Sequence, residues 1–166
     1  FGKLNVFGYH LINLVIHITT GVLVFWFILL TLELPSQRER YGPIGFRVAF
    51  LTSLLFIVHP VQTQAVTYIV QRMSSMAGML YLLSMVLYIK GRLSPEESTQ
   101  IFYYLGMGLS GLLSILSKEN AFMLPVFIAL YELFFFRRWE GGFLSWRMLK
   151  VLLILVGLGL MGFILL

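Results

Sequence analysis

Residues 8–32, GYHLINLVIHITTGVLVFWFILLTL, run for 25 positions without a single Asp, Glu, Lys or Arg. As a helix this stretch is about 37 Å long, more than the ~30 Å of a bilayer's hydrocarbon layer. In lipid every backbone N–H and C=O must be bonded internally, so a run of this kind is a membrane-spanning helix. The rest of the chain conforms: 59% of its 166 residues are hydrophobic and 11% are charged, against roughly 25% charged in a soluble domain. The apolar runs are too many and too long for a signal peptide. The sequence therefore describes an all-α, polytopic integral membrane protein.

Six spans can be drawn, roughly 8–32, 44–58, 64–89, 95–117, 120–136 and 149–166, forming one membrane domain over residues 1–166. They are joined at RERYGP, HPVQ, KGRLSPEES, SKEN and RRWEGGFLSWRMLK (137–150). Within KGRLSPEES the expected helix start has Ser94 as N-cap, Pro95 at the first helical position and Glu97 closing a capping box. The chain begins at Phe1 and ends inside an apolar run, so it reads as a piece truncated at both ends.

Orientation follows from the cations. Arg38, Arg40, Arg47, Lys90, Arg92, Arg137, Arg138, Arg147 and Lys150 fall on one side, and Lys3, Arg72 and Lys118 on the other. The positive-inside rule places the first set in the cytoplasm. The net charge of +5 is then a topological signal, and no nucleic-acid partner is expected. Three polar clusters fall on the extracytoplasmic side: the start of the first span, the HPVQTQ turn and SKEN. Counting from Arg47, His59 lies about 18 Å along a helix, which leaves the turn recessed below the surface. Pro60, with no N–H and a bias against helical geometry at His59, should break the helix there.

The recessed polar groups are candidates for a site. His10, Asn13 and His17 are spaced i, i+3, i+7 and share one helical stripe. Two readings are open: hydrogen bonds between helices, or His10 and Asn13 as donors to a bound phosphate or sugar. A divalent metal held by His10, His17 and His59 is a further use of these rings, and no other cofactor is indicated. Arg72 and Lys118 are cations on the disfavoured side, the arrangement expected of phosphate ligands. The alternatives are headgroup snorkelling for Arg72 and a pair with Glu119 for Lys118, although adjacent residues do not face each other on a helix. Gln62, Gln64 and Gln71 offer amide donors and acceptors suited to sugar hydroxyls. Gln64, Tyr68 and Gln71 are expected on one face of a helix with Arg72 at its edge.

The absent residues narrow the chemistry. With no cysteine, disulfides, thiolate metal sites and cysteine nucleophiles are excluded. All seven acidic residues are Glu. GMGLSG (106–111) and GLGLMG (157–162) match a dinucleotide fingerprint but lie inside apolar spans, with no preceding strand and no acidic residue about 20 positions on. Gly106, Ser110 and Ser114 suit close helix packing instead.

HLINLVIH, FIVHPVQTQAVTYIVQR and LSKENAFMLP, in that order, resemble the membrane portion of the C-type glycosyltransferase fold. The similarity is to the protein O-mannosyltransferase-like branch that often carries tetratricopeptide repeats after the membrane domain. It covers most of residues 7–136, and the version with Gln62 and Gln64 resembles bacterial members. The resemblance implies a polyprenyl-phosphate-linked sugar donor, such as a mannosyl donor, and a protein or glycan acceptor. It implies inverting transfer on the periplasmic or outer face of a bacterial cytoplasmic membrane. It also implies a key acidic residue in a loop that would precede Phe1, which leaves Glu119 as the carboxylate at the inferred site. Arg72, Lys118, His59, Gln62, Gln64, Gln71, His10, Asn13 and Asn120 would then bind the donor's phosphate and sugar. The piece by itself would bind donor without efficient transfer. A transporter or lipid-linked-glycan flippase, or a non-catalytic scaffold, would use a similar polar wall.

Overall fold

A computed structural model describes residues 7–68 and 71–136, and the described residues form helices and short helical turns with no strand. The order is α1 (Phe7–Leu32), α2 (Arg38–Val58), a 3₁₀ turn (Pro60–Gln62), α3 (Thr63–Thr67), α4 (Arg72–Leu93) and α5 (Glu97–Ser117). A second 3₁₀ turn (Glu119–Met123), α6 (Leu124–Tyr131) and a π-helical turn (Glu132–Phe136) follow. Five stretches are long and apolar enough to cross a membrane: Gly8–Leu32, Arg38–Val58, Arg72–Leu93, Glu97–Ser117 and Glu119–Phe136. The sixth expected span, 149–166, lies outside the described residues.

Three expected boundaries move. The second helix starts at Arg38, not near 44, with Pro43 inside it; charged side chains in the first turns of a span can extend to the interface. The third span does not run from 64. α3 ends at Thr67, Tyr68 is extended (φ −95°, ψ 109°) and α4 opens at Arg72. Gln64 and Gln71 therefore belong to different elements and share no helical face. The β-branched cluster Thr67, Ile69 and Val70 disfavours a continuous helix through this point. The fourth helix opens at Glu97 with Glu96 as its N-cap residue, and Ser94 caps the end of α4. The expected capping box is not formed. Gln100 instead donates from Nε2 to the Ser94 carbonyl at 2.7 Å, which ties α5 to the turn before it.

α4 is the central helix, packing against α5 along its length and against α1 and α6. Close approach to α5 rests on small residues. Ser114 Oγ donates to the Ala77 carbonyl at 2.8 Å and Ser84 Oγ to the Met107 carbonyl at 2.9 Å. A Cβ on Gly111 would stand 3.3 Å from Ser84 Oγ, and one on Gly91 2.9 Å from Tyr104. The apolar core of Leu34, Met85, Tyr88, Ile89, Leu124 and Tyr131 sits toward the last turns of α4. There Glu132 accepts from Tyr88 Oη and pairs with Arg92 Nη2 at 2.6 Å, joining α4 to the end of the fifth span. Outward faces such as Leu55, Phe102, Leu105 and Leu116 are exposed, as expected of lipid-facing surface.

Candidate functional site

At the opposite end of the bundle, residues 57–67 climb one side of α1. α2 stops at Val58, His59 is extended (φ −66°, ψ 129°) and Pro60 opens the 3₁₀ turn, the break expected from Pro60. Ending a helix here leaves backbone carbonyls without helical partners. The stripe on α1 meets them. His17 Nε2 lies 3.0 Å from the Ile57 carbonyl and, since that oxygen can only accept, the ring donates. One to two turns higher, Asn13 Nδ2 donates to the Val66 carbonyl at 3.2 Å, with His10 Nδ1 at 3.4 Å from the same oxygen. His17 also stacks on Phe56, ring centroids 5.5 Å apart. Asn13 is 1% exposed, and its Oδ1 has no protein partner among the described residues.

These contacts set the depth of the turn. His17 stands about 15 Å from the start of α1 and about 22 Å from its end at 1.5 Å per residue. The His59–Gln62 turn is therefore level with the middle of α1 and not beyond its end, although His59, Pro60 and Val61 are exposed on the bundle's side, and α3 rises from it along α1 toward Tyr9.

A cavity of about 470 Å³ lies between this wall and the α4–α5 pair, a size typical of small-ligand sites. Lys118, Asn120, Gln62 and Ser74 line its polar end, and Phe56, Gly78, Tyr81 and Leu82 its inner end beside His17 and Thr20. Lys118 breaks α5 with an extended backbone (φ −161°, ψ 138°), which directs its side chain across to α4. There Nζ donates to Ser74 Oγ at 2.7 Å. An ammonium has three protons, so two remain for a ligand. The alternative pairing with Glu119 is not made: Lys118 is held by Ser74, and the Glu119 side chain is exposed without a hydrogen bond or ion pair among the described residues.

The predicted residues thus divide. The structure gathers Lys118, Asn120 and Gln62 around one cavity. Arg72 lies outside that lining, its guanidinium carbon 5.7 Å from the ring centroid of Tyr9. His59 is turned to its own backbone, its Nδ1 accepting from the Val61 N–H at 3.2 Å. Gln64 and Gln71 are exposed on α3 and just ahead of α4, and His10 and Asn13 serve the Val66 carbonyl. Among the described residues no three His, Asp or Glu side chains are grouped to hold a metal ion. Ser74, Ser75, Thr20 and Tyr81 line the cavity without having been expected there. The one sequence signal for the serines was a Ser-Ser pair two residues after Arg72 at the start of a span.

Comparison with known proteins places these features in context. Over 138 residues, 82% of this chain, the sequence is 32% identical to mouse protein O-mannosyl-transferase TMTC2. It is 31% identical over 143 residues, 79% of the chain, to protein O-mannosyl-transferase Tmtc3 of Drosophila melanogaster. It is 34% identical over 124 residues, 74% of the chain, to protein O-mannosyl-transferase F38B6.6 of Caenorhabditis elegans. The chain spans about 15% of the length of these relatives. They are animal proteins, whereas the motifs were expected to be of bacterial type. No family model matches the chain, and no solved structure matches it.

Proposed function

We propose that this chain forms the donor-binding part of a membrane glycosyltransferase of the protein O-mannosyltransferase kind. Its cavity holds the phosphate of a polyprenyl-phosphate-linked sugar. The observation that carries the reading is Lys118, a cation whose hydrogen bond among the described residues is to Ser74 alone, facing a cavity with Ser74, Gln62 and Asn120. The similarity to proteins named O-mannosyl-transferases over most of the chain supports it.

In inverting transfer the acceptor hydroxyl attacks the anomeric carbon, the bond from that carbon to the phosphate oxygen breaks, and the lipid phosphate leaves with the electron pair. Lys118 stabilises the charge that builds on the leaving oxygens. Ser74 restrains the ammonium, so little reorganisation is needed. Gln62 and Asn120 contribute amide groups for sugar hydroxyls. The base that takes the acceptor's proton is a carboxylate from a part of the longer protein outside this chain, because Glu119 does not line the cavity. The site opens to the extracytoplasmic face, in a bacterial cytoplasmic membrane, and the acceptor is a protein or glycan. Arg72, at the rim with Tyr9, serves as an outer anchor.

The test is binding of a polyprenyl phosphate to the full-length protein in detergent, for wild type, Lys118→Ala and Arg72→Ala. A hydrogen bond to a charged group contributes about 1.5–3 kcal/mol, or roughly 10- to 150-fold in affinity. Lys118→Ala should lose that much, and Arg72→Ala less than a few-fold. Wild-type affinity in Lys118→Ala would remove the cavity from the donor site.

A further inference from the structure

Gly78 lines the cavity, is exposed, and a Cβ built on it would meet no atom within 4 Å. Gly8 and Gly108 have the same room but do not line the cavity, whereas several glycines at packed positions are crowded. A Cβ on Gly91 or Gly111 would come within 2.9 Å of a neighbour, and one on Gly21 within 2.4 Å of Ile57. Helix packing therefore does not require glycine at 78, and a glycine inside a helix costs about 1 kcal/mol relative to alanine. What its missing side chain leaves is empty volume in the cavity.

That volume lies at a particular depth. Gly78 is one turn beyond Ser74 on α4, and Tyr81 and Leu82 are one turn further, about 10–12 Å from Ser74 along the helix. Across from them stand Phe56 and Thr20. Of the polar groups at this inner end, Thr20 Oγ1 donates to the Ile16 carbonyl at 2.7 Å and His17 Nε2 to Ile57, which leaves the Tyr81 hydroxyl as the polar atom on an otherwise apolar wall. The cavity thus changes from charged and amide-lined at Lys118 to aromatic and aliphatic below it. A ligand matching this gradient has an anionic head with an apolar segment joined directly to it.

We propose that Gly78 is a specificity-determining residue: its missing side chain admits the isoprene units next to the lipid phosphate into the inner half of the cavity. This rests on the donor reading above. A leucine at 78 adds four carbons, about 120 Å³ if each occupies roughly a water's ~30 Å³ share of liquid. That is about a quarter of the cavity, placed between the phosphate position and the Tyr81–Leu82 floor.

The experiment measures binding of geranyl phosphate and of inorganic phosphate to the full-length protein carrying Gly78→Ala, Gly78→Val or Gly78→Leu, with Lys118→Ala alongside. Geranyl phosphate affinity should fall in steps with side-chain size, by about tenfold for Gly78→Leu, the loss expected from displacing two buried methylene-sized groups. Inorganic phosphate affinity should stay within twofold across the Gly78 series and fall in Lys118→Ala. The graded series keeps the test open if the leucine variant fails to fold. Geranyl phosphate bound equally by all Gly78 variants would overturn the proposal while leaving the phosphate site intact. Failure of the wild type to bind either probe would instead remove the donor reading on which it rests.

Discussion

Replacing His17 by leucine measures what it costs to leave a backbone carbonyl bare inside this bundle. Leucine fills much of the same volume, but the Ile57 oxygen loses its donor at 3.0 Å. An unsatisfied buried acceptor costs about 1–3 kcal/mol, while hydrogen bonds between membrane helices average ~0.6 and reach ~1.7 kcal/mol. The stack on Phe56 adds ~0.5–1.5 kcal/mol, partly recovered by leucine packing. A net loss of about 1–2 kcal/mol follows from those ranges. Asn13→Leu should behave differently. It removes the 3.2 Å bond to Val66, but also removes an Oδ1 that is buried without a partner, and His10 remains beside the same carbonyl. The two effects oppose, and the net change should be below ~0.5 kcal/mol. The assay is reversible unfolding of the full-length protein in mixed micelles with increasing SDS. His17→Leu should shift the midpoint clearly, Asn13→Leu little, and His17→Gln, which keeps an N–H donor, should recover part of the loss. An Asn13→Leu variant as destabilised as His17→Leu would refute the reasoning, because it would mean that Oδ1 is satisfied and that the stripe does not act through these carbonyls.

The remaining expectations concern topology and helix packing. Single cysteines at Gln62 and Asn120 should react with impermeant thiol reagents from outside the membrane, and cysteines at Arg40 and Glu96 should not, as the distribution of cations requires; labelling of Arg40 from outside with Gln62 protected would invert the arrangement. Gly21→Ala places a Cβ 2.4 Å from Ile57 Cγ1. Because a β-branched side chain in a helix has few alternative rotamers, the cost should be about 1–3 kcal/mol, read in the same SDS titration, and a neutral Gly21→Ala would show that α1 and α2 are not in such close contact.

Much of the bundle was legible because membrane insertion is written in local composition. Length and hydropathy located the five described spans, and Pro60 located the break after α2. The clustering of polar residues at HPVQTQ and SKEN pointed to one end of the molecule, where Gln62, Lys118 and Asn120 do line a common cavity. Side-chain partners were not legible. His17 reaches a carbonyl 40 positions away, Asn13 one 53 away, and Lys118 a hydroxyl 44 away, and no local pattern separates a histidine serving the backbone from one facing a ligand. The helix start at Glu97 was misread because Ser94-Pro95 fits two roles, and the end of α4 took Ser94 first. Arg72 drew attention by its charge, but its position beside Tyr9 depends on where the chain breaks between α3 and α4.

The grip of α1 on residues 57–66 is made through carbonyl oxygens, a group identical in every amino acid. His17, Asn13 and His10 do not read the side chains at Ile57 and Val66. Substitutions along this stretch can therefore reshape the wall that Gln62 presents to the cavity while the wall stays anchored at the same height. A change in ligand preference can proceed at Gln62 without altering the carbonyl bonds that hold the segment, whereas Ile57, whose side chain packs against Gly21, is held by its shape as well.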